Sequence, residues 1–399
     1  MKILWVKSDF LHPTTRGAVI RTLETLRRLH RRHEIHYVAL NDPSVPEGLA
    51  QSGEYCSQAY PIPHSVPEKT SPAFAAQLLG GLISPLPVAV SRYRSPAMKE
   101  QIRQLITSQR FDSLVCDFLF PAPNIPDLSR CVLFQHNVES MIWRRRVEQT
   151  AGIAARSYIA MQARRMEAYE RSVCQSAGHV IAVSANDAGT MREEFGATRV
   201  TEVSTGVDID YFAPPPAAET RADIVFTGSM DWEANIDGAE FFVREVLPLI
   251  RRKRPQTVFA VVGRKPATRV HKLAEGDSQI VITGTVPDIR PWLWGAALSI
   301  VPLRIGGGTR LKIYESMAAR VPVVSTSVGY EGLPVTPGRH LAVADTAKEF
   351  AARCLCLLED NQQRLAMAEA AHALVAERFS WENVACQFEE ILRTAPRPW

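Results

Sequence analysis

Apolar and polar positions along the chain follow two periods. Short apolar runs at 3–6, 35–40, 114–116, 132–134, 181–183 and 200–203 are bounded by polar or turn residues, the pattern of strands buried on both faces. Between them, 17–32 sets Ile20, Leu23, Leu26 and Leu29 at helical spacing, and 141–176 reads as a long basic helix broken near Gly152. The segment 43–97 is rich in Pro and Ser and predicts loops with short helices. In YFAPPPAAETR, residues 211–221, three successive prolines cannot join a helix or a central strand, so this is a linker. Alternation restarts at Asp223 with DIVFTGS, a helix over 237–252, TVFAVVG, a short helix, IVITGTV and a helix near 290–296. Such alternation predicts parallel sheets covered by helices, twice over, in an α/β chain with domains at 1–210 and 211–380. No period of 20–50 residues repeats, which excludes a solenoid. The terminal FSWENVACQFEEIL is amphipathic through Trp381, Val384, Phe388 and Ile391.

The most informative stretch is 298–333, LSIVPLRIGGGTRLKIYESMAARVPVVSTSVGYEGL. Its opening apolar run predicts a buried strand. Gly306, Gly307 and Gly308 follow, Thr309 can cap a helix reaching about Arg320, and 321–326 reads as the next strand. A glycine loop at a helix start offers free backbone N–H groups, and residues without a Cβ let an anion come close. Arg310 and Lys312 sit in that first turn against the helix dipole, a mismatch of ~0.3–1 kcal/mol that a bound anion would reverse. Glu315 lies on the edge of the apolar face made by Leu311, Tyr314 and Ala318, where a carboxylate needs partners such as a ligand's paired hydroxyls. A surface pair with Lys312 would satisfy it equally.

Ligands of open α/β sheets gather beyond the carboxyl ends of strands. The sequence places Asp117, His136, Ser184, Thr205, Ser229, Arg264 and Thr285 at such ends, and Gly17 and Arg21 at the start of the first helix. Each has a bland counterpart. His136 can serve loop hydrogen bonds, Arg21 can be an exposed helix arginine, and Arg264 can be a solvated loop residue.

GGGTRLKIYESMAARVPVVSTSVGYEGL resembles the donor-binding segment of retaining GT-B glycosyltransferases, family 4, the group 1 glycosyl transferases. The resemblance implies two Rossmann-like domains facing across a cleft, with a C-terminal helix, 381–395, crossing back to the first. It implies metal-independent transfer of a sugar from a nucleotide-diphosphate sugar, a co-substrate rather than a cofactor, to a saccharide or lipid-linked acceptor. Glu315 takes the place of the family's ribose-binding glutamate, and Gly307 stands where the family usually has a second glutamate touching the donor sugar. His136 matches the strand-end histidine of the first domain, implying a hydrogen bond to a sugar hydroxyl or to charge at the anomeric centre. Thr285 and Val286 fall in the segment whose backbone holds the nucleobase. TGSMDWEANIDG, from Thr227, matches the first strand and loop of the second domain but lacks the family's arginine and lysine pair. Diphosphate charge then falls to Arg310, Lys312 and Arg264, with Ser229 in the donor loop and Gly17, Arg21 and Asp117 on the acceptor side. A sugar-nucleotide epimerase of the same fold and a non-catalytic sugar-nucleotide binder remain as alternatives. A dehydrogenase does not, since no Gly-x-Gly-x-x-Gly opens the chain.

Composition changes this picture little. A length of 399 residues suits two cores, and 46% hydrophobic with 22% charged residues is ordinary for a globular enzyme. Seven scattered cysteines without a Cys-x-x-Cys pair predict neither a disulfide frame nor a zinc site and point to a reducing cytoplasm. The opening MKILWV is too brief for a signal peptide's apolar region. Net charge is only +4, but arginines cluster at 27–28, 31–32, 144–146, 164–165 and 251–254. Such clusters are either solvated helix faces or contacts to anionic lipid at the inner membrane surface. No nucleic-acid motif accompanies them.

Overall fold

The structure is a computed structural model that describes every residue except 15–16, 66–70, 151, 218, 306–310 and 399, and the side chains of 73–76, 83 and 149. The chain forms two compact units, Met1–Thr205 with Val384–Trp399, and Gly206–Asn383.

In the first unit, β1 (Lys2–Lys7), β2 (Glu34–Asn41), β3 (Gln58–Pro63), β4 (Ser113–Asp117), β5 (Val132–Phe134), β6 (His179–Ala182) and β7 (Val200–Glu202) build one sheet. Its order is β3-β2-β1-β4-β5-β6-β7, with every pairing parallel. β1 and β4 are buried almost end to end, because helices cover both faces of a parallel sheet. The helices that matter below are α1 (Gly17–His30), α2 (Pro72–Ile83), α3 (Glu139–Gln149), α4 (Ile153–Ser176) and α5 (Ala185–Glu193). Gly152, at φ 86°, separates α3 from α4, so the basic stretch is two helices. β3 departs from the loop expectation for 43–97. Pro61 and Pro63 cannot donate to a ladder, but β3 is an edge strand, where that lack is tolerated.

In the second unit, β8 (Ala222–Thr227), β9 (Phe259–Val262), β10 (Ile280–Ile282), β11 (Ala296–Val301), β12 (Val323–Ser325) and β13 (Ala342–Val343) form a parallel sheet of order β10-β9-β8-β11-β12-β13. The helices α6 (Glu233–Phe241) and α7 (Leu311–Ala318) flank its polar end. The single helix expected over 237–252 instead starts at Glu233 and widens into a π turn at Phe242–Val246 before Leu247–Arg251. Pro248 explains the change: without an N–H it cannot continue the α ladder, and the turn opens just before it.

The last helix, α8 (Trp381–Thr394), belongs to the first unit from Val384 onward. There Phe388 stacks on Trp5 at 5.4 Å and meets Phe134 edge-on at 4.9 Å. Contacts this close between fully buried rings are worth ~0.5–1.5 kcal/mol each beyond their buried area. The division between units falls at Thr205, ahead of the proline run, which lies inside the second unit.

Candidate active site

Each sheet reverses its strand order once, between β1 and β4 in the first unit and between β8 and β11 in the second. The crevice beyond the carboxyl ends of two such strands is the favoured ligand position of an open α/β sheet. Both switch points carry polar clusters.

In the first unit, Lys7 ends β1 and Asp117 ends β4, and their side chains meet at 2.5 Å in a fully buried ion pair. Asp117 Oδ2 also accepts from Trp5 Nε1 at 2.9 Å and from Thr22 Oγ1 of α1 at 2.8 Å. Its other oxygen bonds His136 Nε2 at 2.6 Å. Arg21 NH1 lies 3.0 Å from His136 Nδ1, and Arg21 Nε donates to Thr205 Oγ1 at 2.8 Å. Since guanidinium only donates, His136 Nδ1 accepts and Nε2 carries the proton given to Asp117. Burial is the largest influence on His136 and pushes its pKa down to about 4, with the Asp117 carboxylate opposing. The ring is therefore neutral near pH 7. Burial alone would raise Asp117, but Lys7 and then His136 outweigh it and hold the carboxyl well below the usual range. Burial lowers Arg21 to about 10, against the pull of Asp187 and Asp117, so it remains a cation.

Two devices hold this cluster in place. Phe118, directly after Asp117, adopts φ 79°, a left-handed conformation that costs a non-glycine residue ~1–3 kcal/mol. Its N–H bonds Phe134 O at 2.9 Å and its ring leans on His136 at 5.6 Å, which offset that strain. On the other side, buried Glu170 of α4 accepts from Glu139 N at 2.9 Å, Ser140 N at 2.8 Å and Gln135 Nε2 at 3.3 Å. Glu170 thus caps α3 from a neighbouring helix and clamps the loop that carries His136.

In the second unit, the loops after β8 and β9 touch through their backbones. A Cβ on Gly263 would sit 1.7 Å from Gly228 O, so only glycine permits this approach. Around that contact runs a connected chain. Lys312 Nζ of α7 donates to Asn235 Oδ1 at 2.8 Å and lies 4.5 Å from the centre of the Phe226 ring. Asn235 Nδ2 donates to Ser229 O at 2.8 Å, and Arg264 Nε donates to Ser229 Oγ at 2.9 Å. Ser229 Oγ in turn donates to Asp231 Oδ1 at 2.6 Å. Glu315 is half-buried on α7, and among the described residues its carboxylate has no hydrogen-bond partner. Burial pushes its pKa up to about 7, only partly countered by Lys312.

The structure thus gathers Asp117, His136 and Arg21 in one cluster, and Lys312, Ser229 and Arg264 in another. Arg21 is no exposed helix arginine, being 3% exposed. His136 has both ring nitrogens engaged inside the protein, so the direct hydrogen bond expected from it to a sugar is not available in this arrangement. Gly17 opens α1, where it is exposed. Thr285 is exposed and Val286 packs half-buried on the second core. Gly306, Gly307, Gly308, Thr309 and Arg310 lie outside the described residues. Lys7, Thr22, Asn235 and Glu170 were missed. For Lys7 the signal was present, a lysine closing an apolar run; Glu170 left none, since its role depends on two helices meeting.

Two parallel α/β units, each with charged and polar side chains at its switch point, are the architecture of the GT-B fold. Family comparison specifies it further. Residues 221–360 match the family described as Glycosyl transferases group 1, and residues 15–211 match Glycosyltransferase Family 4. The chain belongs to the group 1 glycosyltransferases. Among its relatives is a D-inositol 3-phosphate glycosyltransferase of Pseudarthrobacter chlorophenolicus, 25% identical over 56% of this chain and 57% of the relative. Another is the lipopolysaccharide core biosynthesis mannosyltransferase LpcC of Rhizobium leguminosarum bv. viciae, 30% identical over 46% of this chain and 57% of that one. This chain thus aligns with little more than half the length of either. In fold it is similar to Anabaena Alr3699/HepE, solved with UDP, at a TM-score of 0.67 and 16% identity over 99% of this chain and 100% of that one. Sucrose-phosphate synthase from Thermosynechococcus elongatus superposes with a TM-score of 0.69 and 16% identity over 99% and 98% of the two chains.

Proposed function

We propose that this enzyme transfers a sugar, with retention and without a metal, from a nucleotide-diphosphate sugar to a saccharide or lipid-linked acceptor in cell-surface glycan synthesis. The acceptor would be met on the cytoplasmic face of the membrane by a peripheral protein. The observation that carries this reading is the chain from Lys312 through Asn235 and Ser229 to Arg264, which sets two cations around one loop at the β8–β11 switch point. Charge developing on a departing diphosphate would be met there by Lys312 and Arg264, joined by Arg310 and the amides of the glycine loop. Charge-assisted hydrogen bonds of this kind are worth ~1.5–3 kcal/mol each. Glu315 would hold the ribose. The relatives support the substrate class, since a mannosyltransferase of lipopolysaccharide core and an inositol phosphate glycosyltransferase are among them, and one fold neighbour was solved with UDP-glucose.

A thermal-shift panel of uridine, guanosine and adenosine diphosphate sugars tests this directly. One base class is expected to raise Tm; saturation at a hundredfold the Kd contributes about 2.7 kcal/mol. No shift with any nucleotide sugar would remove the donor assignment. Conversion of the donor with no acceptor present would instead favour an epimerase.

His136 is assigned a positioning role: its Nδ1 accepts from Arg21 NH1 while Asp117 holds its other nitrogen. His136→Ala is expected to lower kcat at least about tenfold, the scale of one misplaced polar group, and to leave donor Kd within about twofold. Equal losses in both would argue against that role.

A further inference from the structure

We propose that the first unit docks on an anionic lipid bilayer through the corner formed by α2 and the first turns of α4. The proposal rests on the membrane-peripheral reading above and assigns it a surface.

Helix α2, PAFAAQLLGGLI, contains no charged residue, and Gln77 is its one polar side chain. Yet Leu79 and Leu82 are 66% and 49% exposed on it. On α4, which bonds to this helix, Ile153, the first residue, is 89% exposed. Three large aliphatic side chains left in water on two bonded helices contribute nothing to folding. The two helices are locked together by polar bonds that leave these side chains outside. Tyr158 OH donates to Leu78 O at 3.3 Å, Gln162 Nε2 donates to Gly81 O at 3.3 Å, and Arg165 donates to Gly81 O and Leu82 O.

Charge selects the occupant. From Ile153 to Met166, α4 carries Arg156, Arg164 and Arg165 and no acidic residue. Arg156 and Arg164 are exposed, and helical geometry sets them on the stripe of Ile153. Uncharged leucines flanked by arginines fit an interface whose interior is hydrocarbon and whose surface is anionic. Long arginine stems can reach the headgroups while the aliphatic side chains enter below them.

The test uses the full chain in co-sedimentation with vesicles of phosphatidylcholine alone and of phosphatidylcholine mixed with phosphatidylglycerol. Wild type is expected to sediment with the anionic vesicles and to be released by raised salt. Leu79→Asn/Leu82→Asn/Ile153→Asn is expected to weaken this at least about tenfold. Arg156→Ala/Arg164→Ala is expected to cost about fivefold per arginine. Leu365→Asn, at an exposed leucine of the second unit, serves as a control and is expected to bind as wild type. Circular dichroism and the nucleotide-induced Tm shift should be unchanged in all variants, since none of these residues belongs to the polar clusters. Wild type that ignores anionic vesicles overturns the membrane reading itself. Binding by wild type that the triple variant retains, or that the Leu365 control loses equally, overturns only the surface. A dimer that the triple variant dissolves, in a protein that binds no vesicle, would assign the face to a second copy.

Discussion

Asp117→Ala is expected to destabilise the protein by about 3–5 kcal/mol, the cost of leaving a buried charge without its partner. The carboxylate is fully buried and accepts from Lys7, Trp5, Thr22 and His136 at once. Removing it orphans an ammonium and three neutral donors in a region that water does not reach. Urea melts of wild type, Asp117→Ala and the double variant Lys7→Met/Asp117→Ala measure the effect. The double variant should be less damaged than the sum of its parts, because it removes both charges. A loss below about 1 kcal/mol in Asp117→Ala would show the pair to be solvated instead.

The same cluster sets an acid sensitivity. His136 is held neutral, with its pKa pushed down to about 4, whereas an unfolded imidazole titrates near 6.5. Between those values the unfolded chain binds more protons, so stability falls as pH drops from about 6.5 to 4. The full contribution is on the order of 3 kcal/mol, and His136→Gln should flatten that part of the stability curve.

Glu315→Gln is expected to have opposite effects on the free protein and on its complex. Burial raises this carboxyl to about 7, against ~4.3 in an unfolded chain. The folded state therefore holds the proton to higher pH. The stability this group contributes is complete below about pH 4 and is lost as pH rises through 7. At pH 8 the glutamine variant should be more stable than wild type, by on the order of 2 kcal/mol after allowance for partial exposure, and equal to it near pH 4. Donor affinity should move the other way. A carboxylate accepting two ribose hydroxyls loses about tenfold or more when it becomes an amide, and wild-type affinity should weaken as pH falls below 7. Calorimetry with the nucleotide sugar found in the panel checks both; unchanged affinity in the variant would remove the ribose assignment.

Much of this was legible in the residues because a parallel sheet leaves an unambiguous mark. Strands buried on both faces must be apolar throughout, and the helices between them must be apolar on one side, so the order of elements can be read without coordinates. Local rules erred where an element's neighbours decided the outcome. β3 carries two prolines and looks like a loop until its edge position is known. The helix before Arg251 changes to a π turn ahead of Pro248.

The candidate site divides the same way. Asp117, His136, Ser229 and Arg264 are visible as polar residues closing apolar strands, since backbone direction alone carries them to the ligand end of a sheet. What those side chains do there is a tertiary matter. That His136 spends both nitrogens on Asp117 and Arg21, and that Asn235 links Lys312 to Ser229, depends on which strands become neighbours at the switch points. Periodicity records only whether a side chain faces inward. It holds no account of which residue, a hundred positions away, will be waiting within three ångströms.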